Sequence, residues 1–279
     1  MKKNLVLALA AVMTIGCFVT GCGGQKEETK AETTAAEERT TFTVGFDASF
    51  PPYGYQENGE YVGFDLDLAQ EVCDRNGWEL IKTPIDWDAK DMELNSGNID
   101  CIWNGFTING REDDYTWSPA YVNNSQVMVV AADSGIETLA DLAGKNVVVQ
   151  AASAALDVLN SEEKAELTAS FASLTENPDY NTAFMNIDAG AADAVAVDIG
   201  VANYQLKQRE EGKYVILAEE LQAEKYGIGF KLGNEELMNT VWDEVAKLYE
   251  EGKITELAEK YEIADMVCVE ESIAEAAAE

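Results

Sequence analysis

Glu93-Leu94-Asn95-Ser96-Gly97-Asn98-Ile99-Asp100 closes a helix, turns at a glycine free to take positive φ, and opens an apolar strand with an aspartate. Asn186-Ile187-Asp188-Ala189-Gly190-Ala191-Ala192-Asp193 repeats that grammar later in the chain. The first copy runs on through Cys101-Ile102-Trp103-Asn104-Gly105, the second through Ala194-Val195-Ala196-Val197-Asp198. In register, Gly105 and Asp198 fall at the carboxyl ends of equivalent strands, where ligands of α/β proteins gather. A unit used twice predicts two α/β lobes.

Working outward, residues 41–46 alternate polar and apolar as a strand does. Residues 64–76 place apolar side chains on one helical face, with Asp65 near the start and Gly77 past the end. A strand over 79–82, a short helix over 88–95 capped by Asp88, and the strand from Asp100 complete a parallel α/β lobe. The second lobe reads as a strand over 147–150, a helix capped by Ser153, a strand over 171–174, a helix over 180–187 and the strand ending at Asp198. The chain then returns to the first lobe through a strand over 226–231, an amphipathic helix over 235–249 and a shorter helix to 261. Crossings near 120–127 and 222–227 make a hinge. The expected division is residues 42–121 and 227–267 for lobe 1, residues 122–226 for lobe 2, and a frayed or disordered tail over 268–279.

Lys2 and Lys3 precede an apolar run over residues 5–19, the signature of a secretory leader spanning 1–21. Val19-Thr20-Gly21-Cys22 resembles a bacterial lipobox, which implies cleavage before Cys22 and a lipid on that residue. Residues 22–41 are polar, acidic and without an aromatic residue, so they read as a flexible tether spanning ~25 Å. The protein is thus expected on the outer face of a bacterial membrane.

With 19 basic and 52 acidic residues the net charge is −33, which repels nucleic acid and anionic lipid. The chain contains no histidine, the commonest general base and zinc ligand. No Cys-x-x-Cys, Gly-x-Ser-x-Gly or phosphate-binding glycine loop occurs. Asp86-Trp87-Asp88-Ala89-Lys90-Asp91 lacks the glycine and spacing of a calcium loop. Neither a metal nor a cofactor is expected. Cys73, Cys101 and Cys268 read as small buried hydrophobes, with one disulfide among them left open.

Arg111, with Thr107 before it, suits a carboxylate, because the planar guanidinium forks onto both oxygens. The alternative is a surface loop in which Arg111 pairs with Glu112 or Asp113. Asp198 supplies an anion for an ammonium, or else caps the helix from 199. Together Arg111 and Asp198 fit the head group of an α-amino acid, and Ser153 adds donors at its helix start. Asp47 leads into a loop stiffened by Pro51 and Pro52, whose aromatic residues Phe50 and Tyr53, with Trp87, form a wall or plug the lobe's end. Trp103 and Trp117 read as core or hinge packing.

Val62-Gly63-Phe64-Asp65-Leu66-Asp67, Ser96-Gly97-Asn98-Ile99-Asp100, Gly105-Phe106-Thr107-Ile108, Asp141-Leu142-Ala143-Gly144-Lys145, Asp193–Asp198 and Tyr226-Gly227-Ile228-Gly229-Phe230 occur in an order that resembles family 3 extracytoplasmic solute-binding proteins. The resemblance spans nearly all of residues 42–263. It implies a two-lobed, type II periplasmic-binding-protein-like α/β fold that closes on a polar amino acid and delivers it to an ABC permease. Carried over residue by residue, it implies that Arg111 grips the α-carboxylate with Thr107 beside it. Gly105 and Asp198 would meet the α-ammonium, and Ser153 and Ala154 would bind the carboxylate from the second lobe. Asp47 and Gln150 would face the ligand side chain, between Phe50 and Trp87. The step from Gly105 to Arg111 is one residue shorter than the family's usual spacing, and Gln150-Ala151-Ala152-Ser153 replaces a more glycine-rich stretch. Arginine is the favoured ligand, then glutamine or another polar amino acid. The other readings are a small-carboxylate dehydratase on the same fold, or the ligand-sensing subunit of a membrane receptor. A monomer is expected.

Overall fold

The computed structural model describes residues 39–276 and 278. The expected leader, Cys22 and the tether as far as residue 38 lie outside the described residues. Eight main strands form one mixed sheet: β1 Thr41–Phe46, β2 Glu79–Pro84, β3 Cys101–Thr107, β4 Val122–Ala131, β5 Asn146–Gln150, β6 Ser173–Asn177, β7 Ala194–Asp198 and β8 Gln222–Phe230. Their order across the sheet is β6-β5-β7-β4-β8-β3-β1-β2. Within each lobe the neighbours β2-β1-β3 and β6-β5-β7 run parallel. Between them β4 and β8 pair antiparallel from Val122↔Tyr226 to Gln126↔Gln222, and these two strands carry the chain from lobe to lobe.

The repeated turn does the same job in both lobes. Gly97 and Gly190 hold φ of 79° and 68°. Just beyond them, Asp100 accepts the Thr43 N–H at 2.7 Å and Asp193 accepts the Asn146 N–H at 2.7 Å. Each aspartate thereby ties the start of its own strand to the start of the parallel neighbour, which fixes register.

Helices cover the sheet: α1 Phe64–Asn76, α2 Lys90–Ser96, α3 Ala154–Asn160, α4 Tyr180–Asp188, α5 Ile199–Lys207, α6 Glu235–Glu250, α7 Lys253–Lys260 and α8 Val269–Ala276. The apolar face of α1 (Phe64, Leu68, Val72) packs with Val241, Val245 and Ile254 from α6 and α7 in one buried cluster. A second cluster joins β4, β5 and β7 to α3 through Val130, Val147, Val149, Ala196 and Leu159.

Three expectations change. The tail is not frayed over 268–276: α8 docks on the hinge, with Cys268 N–H donating to Tyr121 O at 3.0 Å and Ser272 Oγ to Ala120 O at 2.7 Å. Burial of Val269 and Ser272 gives an acidic, alanine-rich helix the tertiary support its composition lacks. The strand expected over 171–174 lies later, at Ser173–Asn177, because Phe171 ends a short helix over Ala165–Ser170. The helix expected over 88–95 starts as a single tight turn at Trp87–Ala89 and makes no side-chain cap, so Asp88 does not cap it. Cys73, Cys101 and Cys268, whose pairing the sequence left open, are all free and buried, as small hydrophobes would be.

Candidate functional site

Strand register assembles the centre of the site. Asp198 on β7 sits opposite Gln126 on β4, and Glu224 on β8 sits opposite Asn124 on β4. Thr107 at the end of β3 sits opposite Tyr226 on β8. Residues two apart share a strand face, so Asn124 and Gln126 lie together, as do Glu224 and Tyr226. All six meet where the two lobes join.

Asp198 is buried and richly held. Its Oδ1 accepts from Gln126 Nε2 at 2.7 Å, Asn124 Nδ2 at 2.9 Å and Tyr226 OH at 2.5 Å. It makes no capping hydrogen bond to the helix that follows, so the capping reading falls. Burial pushes its carboxyl above the ordinary range, against the lowering effect of these donors.

Gly105 takes φ of +55°, and a Cβ there would lie 2.7 Å from the Phe50 ring. Only glycine fits that close approach without strain. Its N–H donates to Asp65 Oδ2 at 2.6 Å, as Tyr121 OH does at 2.9 Å. Asp65 is fully buried and raised to about 7 by burial. The sequence marked Asp65 only as a helix-start acid, yet it anchors the bend in β3.

Arg111 does not pair with Glu112 or Asp113. Its guanidinium lies 5.4 Å over the Phe106 ring and meets Asp157 of α3, in the other lobe, at 2.6 Å. Trp117 Nε1 donates to the Arg111 carbonyl at 2.9 Å, and Arg111 N–H to Ile108 O at 2.9 Å. The shortened loop is therefore a tight turn pinned by Trp117, which the sequence assigned to packing. Thr107 Oγ1 donates to Glu224 Oε1 at 3.0 Å, so its hydrogen is committed away from any carboxylate beside Arg111. Ser153 caps α3 as expected, accepting from Leu156 N–H at 3.2 Å and donating to Gln150 O at 2.8 Å.

Phe50, Trp87, Gly105, Thr107, Arg111, Gln150, Ser153, Ala154 and Asp198 line one small space, about 10 Å³ as the lobes sit here. Asp47 stands outside it. Its carboxylate accepts from Gln150 Nε2 at 2.6 Å across the lobes, and burial raises it to about 6. It lines a neighbouring cavity of about 540 Å³ that shares Trp87 and adds Asp86, Glu93 and Asp179.

Two residues escaped sequence reading. Lys90 is buried between lobes, with Nζ donating to Ala152 O at 3.3 Å and 5.3 Å from the Trp87 ring centre. Burial, and then the charge of Arg111, lower its pKa. Glu224 is the other; burial, then Asp198, raise it to about 8. Its signal was present: Asn123-Asn124-Ser125-Gln126 is a polar run opening a strand that is apolar from Val127 to Ala131, and Glu224 pairs with it from the partner strand.

These raised carboxyls set the pH dependence of stability. Asp47, Asp65 and Glu224 bind protons more tightly folded than unfolded, so their contribution is whole below about pH 4 and drains as pH climbs through about 6, 7 and 8. Scanning calorimetry of the ligand-free protein should give a falling Tm from pH 5 to pH 8.5. A Tm that rises across that window would contradict these assignments.

Two lobes joined by paired crossing strands, with polar side chains from both converging on one enclosed space, define a solute-binding protein. The chain belongs to the bacterial extracellular solute-binding proteins, family 3, whose profile matches residues 42–264. It is 28% identical to the L-cystine-binding protein TcyJ of Escherichia coli (strain K12), over 93% of this chain and 96% of that one. Its fold is similar to an ABC uptake transporter substrate-binding protein from Streptococcus pneumoniae with bound histidine. The TM-score is 0.76 at 32% identity, covering 79% of this chain and 92% of that one. It is likewise similar to Tv2483 bound to L-arginine, with a TM-score of 0.77 at 26% identity, covering 82% of this chain and 93% of that one.

Proposed function

We propose that this protein captures a polar L-amino acid outside the cytoplasm and delivers it to an ABC importer. In this reading Arg111 takes the α-carboxylate, aided by Ser153 and Ala154. Asp198 and the Gly105 carbonyl take the α-ammonium, while Phe50 and Trp87 flank the side chain. Lobe 1 is residues 42–121 with 227–267, and lobe 2 is residues 122–226. Cys22 carries a lipid that tethers a monomer to the membrane.

One observation carries the reading: a guanidinium and a buried carboxylate, from different lobes, line the same enclosed space. The match is to a zwitterion, since each buried charge needs an opposite partner. Relatives that bind cystine, histidine and arginine support the amino-acid class. For the side chain, the adjoining acidic cavity with Asp47, Asp86, Glu93 and Asp179 supports a cationic group, arginine first and another polar amino acid next.

The test is thermal unfolding against a panel of the common amino acids and cystine, with each mixture then analysed for turnover. A ligand at 100 times its Kd stabilises by about 2.7 kcal/mol. Stabilisation by one or a few amino acids, returned unchanged, is the expected outcome. A flat panel contradicts binding, and consumption of the stabilising compound contradicts a pure transport role in favour of an enzyme.

A further inference from the structure

The polar stripe at the lobe junction is short of both hydrogen and positive charge. Gln126 Nε2 donates to Asp198 Oδ1 and to Glu224 Oε1, each at 2.7 Å. Asn124 Nδ2 bridges the same two oxygens at 2.9 and 2.7 Å. Two buried carboxylates thus share one pair of amide groups. Among the described residues no lysine or arginine forms a salt bridge with either. Glu224 Oε2, Asn124 Oδ1 and Gln126 Oε1 are buried acceptors with no donor.

We propose that Glu224 is a positioning residue for the ligand's ammonium, and that the Asp198–Glu224 pair exchanges a proton for that ammonium on binding. This rests on the amino-acid reading above. Two adjacent carboxylates in a buried site cannot both ionise cheaply without a cation, so the ligand-free pair holds one proton between them. When the ammonium reaches Asp198, the carboxyl O–H of Glu224 breaks and its proton passes to bulk buffer. The ligand keeps its own three N–H bonds. One positive charge enters as one leaves.

Glu224 does not line the enclosed space, so it acts through its neighbours. Once ionised, it fixes the Thr107 hydroxyl hydrogen on Oε1. Thr107 then offers the cavity only lone pairs, which suit an N–H donor. The other titratable groups facing the pair are the phenols of Tyr53, Tyr180 and Tyr226, all pushed up by burial and then by Asp198 or, for Tyr53, Asp65. They stay neutral through the working range, which leaves the two carboxyls as the groups that exchange the proton.

The test is titration calorimetry with whichever of L-arginine, L-histidine and L-cystine binds tightest, run in phosphate and in Tris so that buffer heats count protons. Wild type should release about one proton at pH 7, and its affinity should rise about tenfold from pH 6.5 to pH 8. Glu224→Gln should release none, show a flat profile over that window and bind at least about tenfold more weakly at pH 8. Glu224→Asp should restore the release. Binding by wild type without proton release, or an unchanged proton count in Glu224→Gln, overturns the proposal. If Glu224→Gln does not fold, the wild-type proton count decides alone. If none of the three binds, the titration is run with the amino acid that stabilises the protein in the thermal panel; if no amino acid does, the amino-acid reading itself fails, a result distinct from binding without proton exchange.

Discussion

Asp198→Asn should weaken amino-acid binding by ~2–5 kcal/mol, the range for removing one partner of a closed, hydrogen-bonded charge pair. The substitution keeps shape and removes charge, so the loss reads the ammonium contact directly. The fold should survive, because Asp198 makes no capping bond that helix α5 depends on. Stability should hold or rise, since the variant takes one of two buried carboxyls, both raised by burial, out of a site with no cation to pair them. Calorimetry at fixed pH, with Tm measured alongside, separates the effects. Unchanged affinity would remove Asp198 from the ligand site.

Arg111→Lys should cost a comparable ~2–5 kcal/mol of binding, although the charge is kept. Lysine is a point charge on a flexible stem and cannot fork onto both carboxylate oxygens. It would also lose the planar fit over the Phe106 ring, where the guanidinium sits 5.4 Å from the centre. The present partner of Arg111, Asp157, has its side chain 62% exposed, so that ion pair is weak. Asp157→Asn should therefore shift stability by less than about 1 kcal/mol. Binding by Arg111→Lys at wild-type strength would show that the ligand's carboxylate lies elsewhere.

The repeated helix–glycine–aspartate–strand unit made the two-lobed fold legible, because local chemistry dictates it. Glycine takes the positive φ, and the aspartate finds the neighbouring strand's N–H in both lobes. Helix α1 and strand β7 were equally plain, from a clean period and a run of small apolar residues. Contributions from distant chain were not legible. Helix α8 owes its order to the Tyr121 and Ala120 carbonyls, and Asp65 owes its role to the Gly105 N–H, 40 residues away. Nothing next to either residue announces such a partner.

The site divides the same way. Asp198 ends β7, Gly105 lies near the end of β3 and Arg111 in the loop just beyond it, positions that sequence can locate. Glu224 lies near the start of β8, and its importance arises only when β4 and β8 pair and bring it to Asn124 and Gln126. Thr107 lines the same space as Arg111, but its hydroxyl donates to Glu224, a direction no linear reading contains.

If Arg111 and Asp198 act together, one zwitterion bridges the lobes. A crystal structure of the complex with the amino acid that most stabilises the protein tests it directly. The ligand carboxylate should fork onto the Arg111 guanidinium, with its ammonium within hydrogen-bond reach of Asp198 and the Gly105 carbonyl. A ligand seated outside that space, or reversed with its carboxylate toward Asp198, would contradict it.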